Sequence, residues 1–220
     1  MTGTGTRGGT GGLPGLPPVS AIVLAGGRSR RFGRDKLAEP AGGRTLLQRA
    51  IAAVAPIASE VVVVASPGAT PDVPSFVRVA YDETAFEGPL AGCFAGLLAA
   101  REPLVIVVGG DMPDLQPEVL AGLIRALEGS AADASALEHL GRARPLPMAL
   151  RTGSGTEVAR RLLADRERRL GALLERLTVR VIPEVEWRPL DPTARTVLDV
   201  DEPGDLARFE NPDGLTDEPG

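Results

Sequence analysis

The sequence predicts an α/β fold of the βαβ type, and three observations carry the prediction. Between residues 19 and 210 the apolar positions switch repeatedly from short continuous runs to helical spacing, as when buried strands alternate with amphipathic helices. The apolar side chains are mostly small and aliphatic, with aromatics at only 3% of 220 residues, which suits parallel strands covered by packed helices. A Gly-rich turn follows the first apolar run directly, where open α/β sheets place their ligands.

The elements follow in order. Val19 to Leu24 is the first strand, and Leu46, Leu47, Ala50, Ile51 and Val54 mark a helix that Pro56 ends. Glu60 to Ala65 and Phe76 to Ala80 read as strands, followed by a helix from Pro89 to Ala100 with Leu90, Phe94, Leu97 and Leu98 on one stripe. Leu104 to Val108 is the next strand, and Pro117 opens a helix that carries Val119, Leu120, Leu123, Ile124 and Leu127. Two strands, Ala134 to Leu140 and Leu146 to Arg151, flank Gly141. Helical segments at Thr156 to Ala164 and Leu170 to Leu177 come next, then strands at Val179 to Ile182 and Thr196 to Val200, and a last helix at Pro203 to Phe209.

Residues 1–18 are mostly Gly, Thr and Pro and are expected to be an unfolded leader, and residues 211–220 a flexible tail, so that 19–210 forms a single domain. A net charge of −5 without a broad basic stretch argues against nucleic acid or an anionic membrane as partner. A single cysteine excludes an intrachain disulfide, and no signal peptide or long apolar run is present, so a cytoplasmic location is expected.

Inside this acidic chain, five cations lie between Arg28 and Lys36, immediately after Gly26 and Gly27. Glycines let backbone N–H groups approach an anion without a Cβ in the way, and a cluster of guanidinium and ammonium groups beside them suits a polyphosphate. Two glycines alone would also serve as a tight strand exit with a solvated charged loop behind it. The spacing fits neither G-x-x-x-x-G-K-[ST] nor G-x-G-x-x-G. Arg31 and Lys36 are the expected phosphate contacts. Asp111, after an apolar strand and Gly109-Gly110, places a carboxylate at the same sheet edge, where it suits Mg2+, which takes one or two protein carboxylates plus substrate phosphates. An Asp in that place also suits a cap for the following turn and helix. His139 reads as an exposed loop or strand residue with no role in catalysis.

The run from Leu24 to Lys36 resembles the signature L-A-G-G-x-S-x-R-x-G-x-D-K of the molybdenum cofactor guanylyltransferases at every fixed position. Gly88-Pro89-Leu90-Ala91-Gly92, Gly110-Asp111-Met112-Pro113 and Asp199-Val200-Asp201-Glu202-Pro203 extend the resemblance over nearly the whole chain. It implies a Rossmann-like nucleotidyltransferase domain with a mostly parallel mixed sheet flanked by helices, Mg2+ as cofactor, and GTP and molybdopterin as substrates. By resemblance, Arg31, Lys36 and Asp111 are catalytic. Leu24, Ala25, Gly26, Gly27, Lys36, Asp82, Pro89, Leu90, Gly92 and Asp111 contact the nucleotide, and Asp111 binds metal with Asp201 as a second candidate. The related cytidylyltransferases read Leu-Ala-Ala-Gly at the first loop. Asp199 and Asp201 replace the Asn residues usual in the family, and Arg144-Pro145-Leu146-Pro147 matches a substrate-binding segment loosely. The competing readings are a relative that uses CTP or another phosphorylated acceptor, and a GTP-binding partner of molybdoenzyme assembly proteins without turnover. Lys36 and Asp111 speak against the second, since a binder need not keep a metal ligand.

Overall fold

The computed structural model describes residues 15–26, 36–38, 40–41, 43–82, 88–200 and 205. The expected helix at Pro203 to Phe209 and the flexible tail lie outside the described residues, apart from Asp205. Strand β1 (Val19–Ala25) precedes a short antiparallel ribbon of β2 (Pro40–Ala41) and β3 (Arg44–Thr45), then helix α1 (Leu46–Val54) and strands β4 (Glu60–Ala65) and β5 (Val77–Tyr81). Helix α2 (Pro89–Ala99), strand β6 (Leu104–Gly109) and helix α3 (Pro117–Glu128) follow. Next come β7 (Ala134–His139), β8 (Arg142–Arg151), α4 (Thr152–Ala164), α5 (Gly171–Arg176), β9 (Val179–Ile182) and α6 (Glu184–Trp187). Strands are ordered β5-β4-β1-β6-β8-β7-β9, and β8 alone runs against the rest of this sheet.

Both faces of the sheet are covered, which is why its strands read as continuous apolar runs. Ala21, Val23, Val61, Val63, Ile106 and Val108 point to a layer formed with α1 and α3. Ile22, Val62, Val64, Val105 and Val107 point to a second layer formed with α2, α4 and α5. Thr45 and Gln48 close a capping box at the start of α1, the Thr45 hydroxyl accepting from the Gln48 N–H at 3.1 Å, so the helix begins where β3 ends. Leu16, within the expected leader, is half-buried against the first layer.

Three expectations are corrected. Thr196 to Val200 is not a strand: a 3-10 turn spans Arg195–Val197, and the nearby Asp191 side chain and the distant Gln116 backbone N–H take the place of a ladder. The Thr196 N–H donates to the buried Asp191 carboxylate at 2.7 Å, and the Thr196 hydroxyl accepts the Gln116 N–H at 3.1 Å. Leu98 lies outside the buried stripe of α2 and is 60% exposed, whereas Leu90, Cys93 and Leu97 face the core. His139 is not exposed: its side chain is only 15% accessible, and its Nδ1 lies 2.7 Å from Glu184 Oε1. Among the described residues no helix is long and apolar enough to cross a membrane.

Helix α2 approaches β1 and β4 through Gly96, where a methyl would sit 2.5 Å from Ile22 Cγ2 and 3.1 Å from Val64 Cγ2. Gly96→Ala should therefore destabilise by about 1–3 kcal/mol, an overpacking cost. In a domain of this size that lowers Tm by roughly 2–4 °C per kcal/mol. Gly122→Ala in α3 meets nothing within 4 Å and should be neutral or slightly stabilising. Calorimetry on the two variants checks the contrast, and equal melting temperatures would refute it.

Candidate functional site

Registers place Tyr81, Ala65, Ala25 and Gly109 along the carboxyl edge of the parallel strands. The residues that leave this edge are therefore Asp82 from β5, Ser66 from β4, Gly26 from β1 and Gly110-Asp111 from β6. Two further hydrogen bonds continue the ladders: Asp82 N–H to Ala65 O at 3.1 Å, and Gly110 N–H to Leu24 O at 2.9 Å. The second brings Asp111 level with Gly26.

The two glycines before Asp111 are required by close approach. A Cβ on Gly109 would strike Asp111 Oδ1, and one on Gly110 would lie 3.1 Å from Leu24 O and 3.3 Å from Leu47 Cδ1. Asp111 is half-buried rather than exposed, and its carbonyl accepts the Val200 N–H at 2.9 Å. That bond draws the Asp199 stretch alongside it. Helix α3 starts at Pro117 with Gln116 at its N-cap, so Asp111 does not occupy the cap of this helix.

The base-side loop expected at 88–92 opens α2. Gly88 has φ +97°, and a methyl there would lie 3.0 Å from both Cβ and O of Arg168, so glycine is obligatory on two counts. Pro89 is exposed at the first helical position. Leu90 is fully buried and its N–H donates to Arg168 O at 3.3 Å, which places its side chain in the core under the site. Leu24 and Ala25 are half-buried and pack on opposite core layers. Gly92 and Gly26 differ from these structural glycines. A methyl on Gly92 would meet Leu24 Cδ2 at 3.8 Å, and one on Gly26 would meet Ser66 Oγ at 3.6 Å, both ordinary contacts. No contact among the described residues demands glycine at either position.

Gly27, Arg31 and Asp201 lie outside the described residues. Lys36 opens the 3-10 turn Lys36–Ala38, and its side chain is likewise outside the description. The segment Arg144 to Pro147 lies on β8. Since Met148 pairs with Val107, the residues before it run past the end of β6 toward the same edge as Asp111. The Arg144 Nε is buried with no hydrogen-bond partner among the described residues.

Other titratable groups lie apart from this edge. Glu184 is held below its usual range by the Leu140 N–H and by His139. Burial pushes the Cys93 thiol up to about 12, so this residue of α2 is an inert core group. Sequence reasoning missed Asp114, whose carboxylate is bound by Arg49 and Arg195. Its only signal in the sequence is a second acidic residue three positions after Asp111.

The MobA-like NTP transferase domain family matches residues 21–181, a span that contains the Asp111 loop and all nine strands bar the first two residues of β1 and the last of β9. The chain belongs to this family. A probable molybdenum cofactor guanylyltransferase of Chloroflexus aggregans is 40% identical over 194 residues, covering 86% of this chain and 91% of its own. A molybdenum cofactor guanylyltransferase of Burkholderia ambifaria is 35% identical, covering 78% and 87%. Among solved structures, molybdopterin-guanine dinucleotide biosynthesis protein A of Archaeoglobus fulgidus superposes with TM-score 0.74 at 25% identity, over 87% of this chain and 97% of that one. A 2-C-methyl-D-erythritol 4-phosphate cytidylyltransferase of Thermus thermophilus, 21% identical with TM-score 0.67 over 88% and 98%, shares the fold. The mostly parallel mixed sheet with flanking helices is thus the nucleotidyltransferase fold of the family, and the chain is a nucleotidyltransferase.

Proposed function

We propose that this chain transfers GMP from GTP to the terminal phosphate of molybdopterin and releases pyrophosphate. The observation that carries the reading is the placement of Asp111 beside Gly26 by the Gly110 to Leu24 hydrogen bond, in a chain whose relatives are named for this activity. An acceptor phosphate oxygen attacks the α-phosphorus, and the bond to the bridging oxygen of the β-phosphate breaks. The nucleophile is already an anion, so no general base is required. The barrier is repulsion between anions and charge on the leaving group, which positioning and cations relieve.

The donor set fits Mg2+. A single carboxylate at a strand end suffices when substrate phosphates and waters complete the shell, and among the described residues no cluster of three His, Cys, Asp or Glu side chains offers a denser cage. Asp111 would hold the ion, with Asp201 as a second ligand, and the bound ion would supply charge against the developing negative charge of the phosphates. Arg31 and Lys36 would carry the polyphosphate. Gly26, Gly27, Asp82, Pro89 and Gly92 would surround the nucleoside. The partnerless Nε edge of Arg144 suits the acceptor anion, since a guanidinium binds phosphate through two parallel N–H groups.

Incubation of the protein with molybdopterin, Mg2+ and each nucleoside triphosphate in turn tests the reading. Pyrophosphate should appear with GTP and require the acceptor. Faster release from CTP would point to the cytidylyl reaction, and binding of GTP without release in any combination would refute transfer.

A further inference from the structure

We propose that Asp114 is the positioning residue for Asp111: a two-armed clamp, formed by Arg49 and Arg195 on its carboxylate, fixes the β6 exit loop in the geometry that presents Asp111 to the phosphates. This rests on the role given to Asp111 above. Arg49 Nη2 donates to Asp114 Oδ1 at 2.5 Å and Arg49 Nε to the Pro113 carbonyl at 3.2 Å, so one guanidinium grips both a side chain and the backbone of the loop. Arg195 Nη1 donates to Asp114 Oδ2 at 2.9 Å from the opposite side. The Asp114 side chain is only 10% exposed, and those of Arg49 and Arg195 are 28% and 20% exposed, so solvent screens these pairs less than an ordinary surface pair.

What the clamp joins gives it a functional meaning. Arg49 belongs to α1, the helix that follows the Gly/Arg loop and the Lys36 turn. Arg195 belongs to the C-terminal segment that runs on to Asp199 and Val200. The loop between them is stitched to that segment at both ends: Val200 N–H to Asp111 O at 2.9 Å, and Gln116 N–H to the Thr196 hydroxyl at 3.1 Å. Gln116 Nε2 also donates to the Asp114 carbonyl at 3.2 Å. Asp114 therefore sits where three segments that bear phosphate-site groups meet, three residues from the carboxylate it would orient. A flexible loop would let the half-buried Asp111 sample rotamers and positions that miss the ion, and partners that orient a metal-binding group typically control 10- to 100-fold of metal affinity.

The test uses the full chain with GTP bound and Mn2+ as the probe, titrated by electron paramagnetic resonance, alongside pyrophosphate release. Asp114→Asn should weaken Mn2+ binding by about 10-fold or more, with a matching fall in kcat and little change in KM for GTP. Asp114→Glu should recover part of both. Should Asp114→Asn fail to fold, Arg195→Lys, which keeps the charge and loses the planar fork, should show a smaller effect of the same kind. A variant that melts lower yet binds Mn2+ with wild-type affinity would overturn the proposal and leave Asp114 a structural residue. A wild-type chain that neither binds Mn2+ with GTP nor releases pyrophosphate would overturn the proposed function itself, and the clamp's role with it.

Discussion

Asp111→Asn is expected to fold and melt like the wild type while losing about 10³-fold in kcat, equivalent to about 4 kcal/mol of transition-state stabilisation. The structure gives reasons for both halves. The asparagine side chain has nearly the same shape, so it fits over Gly109 where a Cβ would be refused. Among the described residues, backbone bonds help to place it: the Val200 N–H to its carbonyl and the neighbouring Gly110 N–H to Leu24 O. No helix loses a cap, because α3 begins at Pro117 behind Gln116. What is lost is one negative charge at the edge where two phosphate-bearing substrates must be brought together, and a neutral amide holds a hard divalent cation poorly. Pyrophosphate release under saturating GTP and acceptor, with a melting curve on the same preparation, is the measurement. A folded variant with near wild-type kcat would remove Asp111 from the chemistry.

How much of this could be read before the structure depended on the range of the interactions concerned. Strands β1, β4 and β6 were legible because they are apolar almost throughout, Ser20 and Glu60 excepted, and the two core layers explain why: Ile22 and Val62 serve one face while Ala21 and Val63 serve the other. Asp111 and Gly26 were legible as site residues because a strand end followed by glycine is a local pattern with a known place in an open sheet. Interactions that bridge distant segments left no such trace. Thr196 looks like a strand residue until the Gln116 N–H, 80 positions away, is seen to bond its hydroxyl. The motif does not show that helical geometry turns the Leu90 side chain into the core while Pro89 stays exposed. The α2 stripe was misread at Leu98 because the helix is apolar almost all round, so that spacing alone did not choose its buried face. Nor does periodicity show that β8 inserts antiparallel between β6 and β7, since its hairpin with β7 is equally compatible with a place at the sheet edge.

Gly26→Ala should lower kcat/KM for GTP by roughly 10- to 200-fold, the consequence of one misplaced carbon worth about 1–3 kcal/mol in a close-fitting pocket. Among the described residues the methyl's nearest neighbour would be Ser66 Oγ at 3.6 Å, an ordinary contact, so a loss of activity with an unchanged melting curve would report on the ligand. This separates Gly26 from Gly88, Gly96, Gly109 and Gly110, where added carbons meet protein atoms at 3.1 Å or less. Gly26 is exposed at the end of β1 and level with Asp111, where its backbone would be open to a nucleotide at that edge. A purine would be crowded by a Cβ there more than a pyrimidine, and the N–H and C=O of an unobstructed residue can meet the edge of the base. Gly92 faces the same test from α2, with a methyl at 3.8 Å from Leu24 Cδ2 and 3.9 Å from Val64 Cγ1. The single change at Gly26 should therefore weaken GTP use without creating good CTP use, and Gly92→Ala added to it should be needed before the preference turns. The measurement is kcat/KM for both nucleotides in the wild type, in each single variant and in the pair, with melting curves to show that all are folded. An unchanged ratio of GTP to CTP in folded Gly26→Ala would mean that the backbone at the end of β1 does not read the base, and discrimination would then have to come from the α2 loop alone.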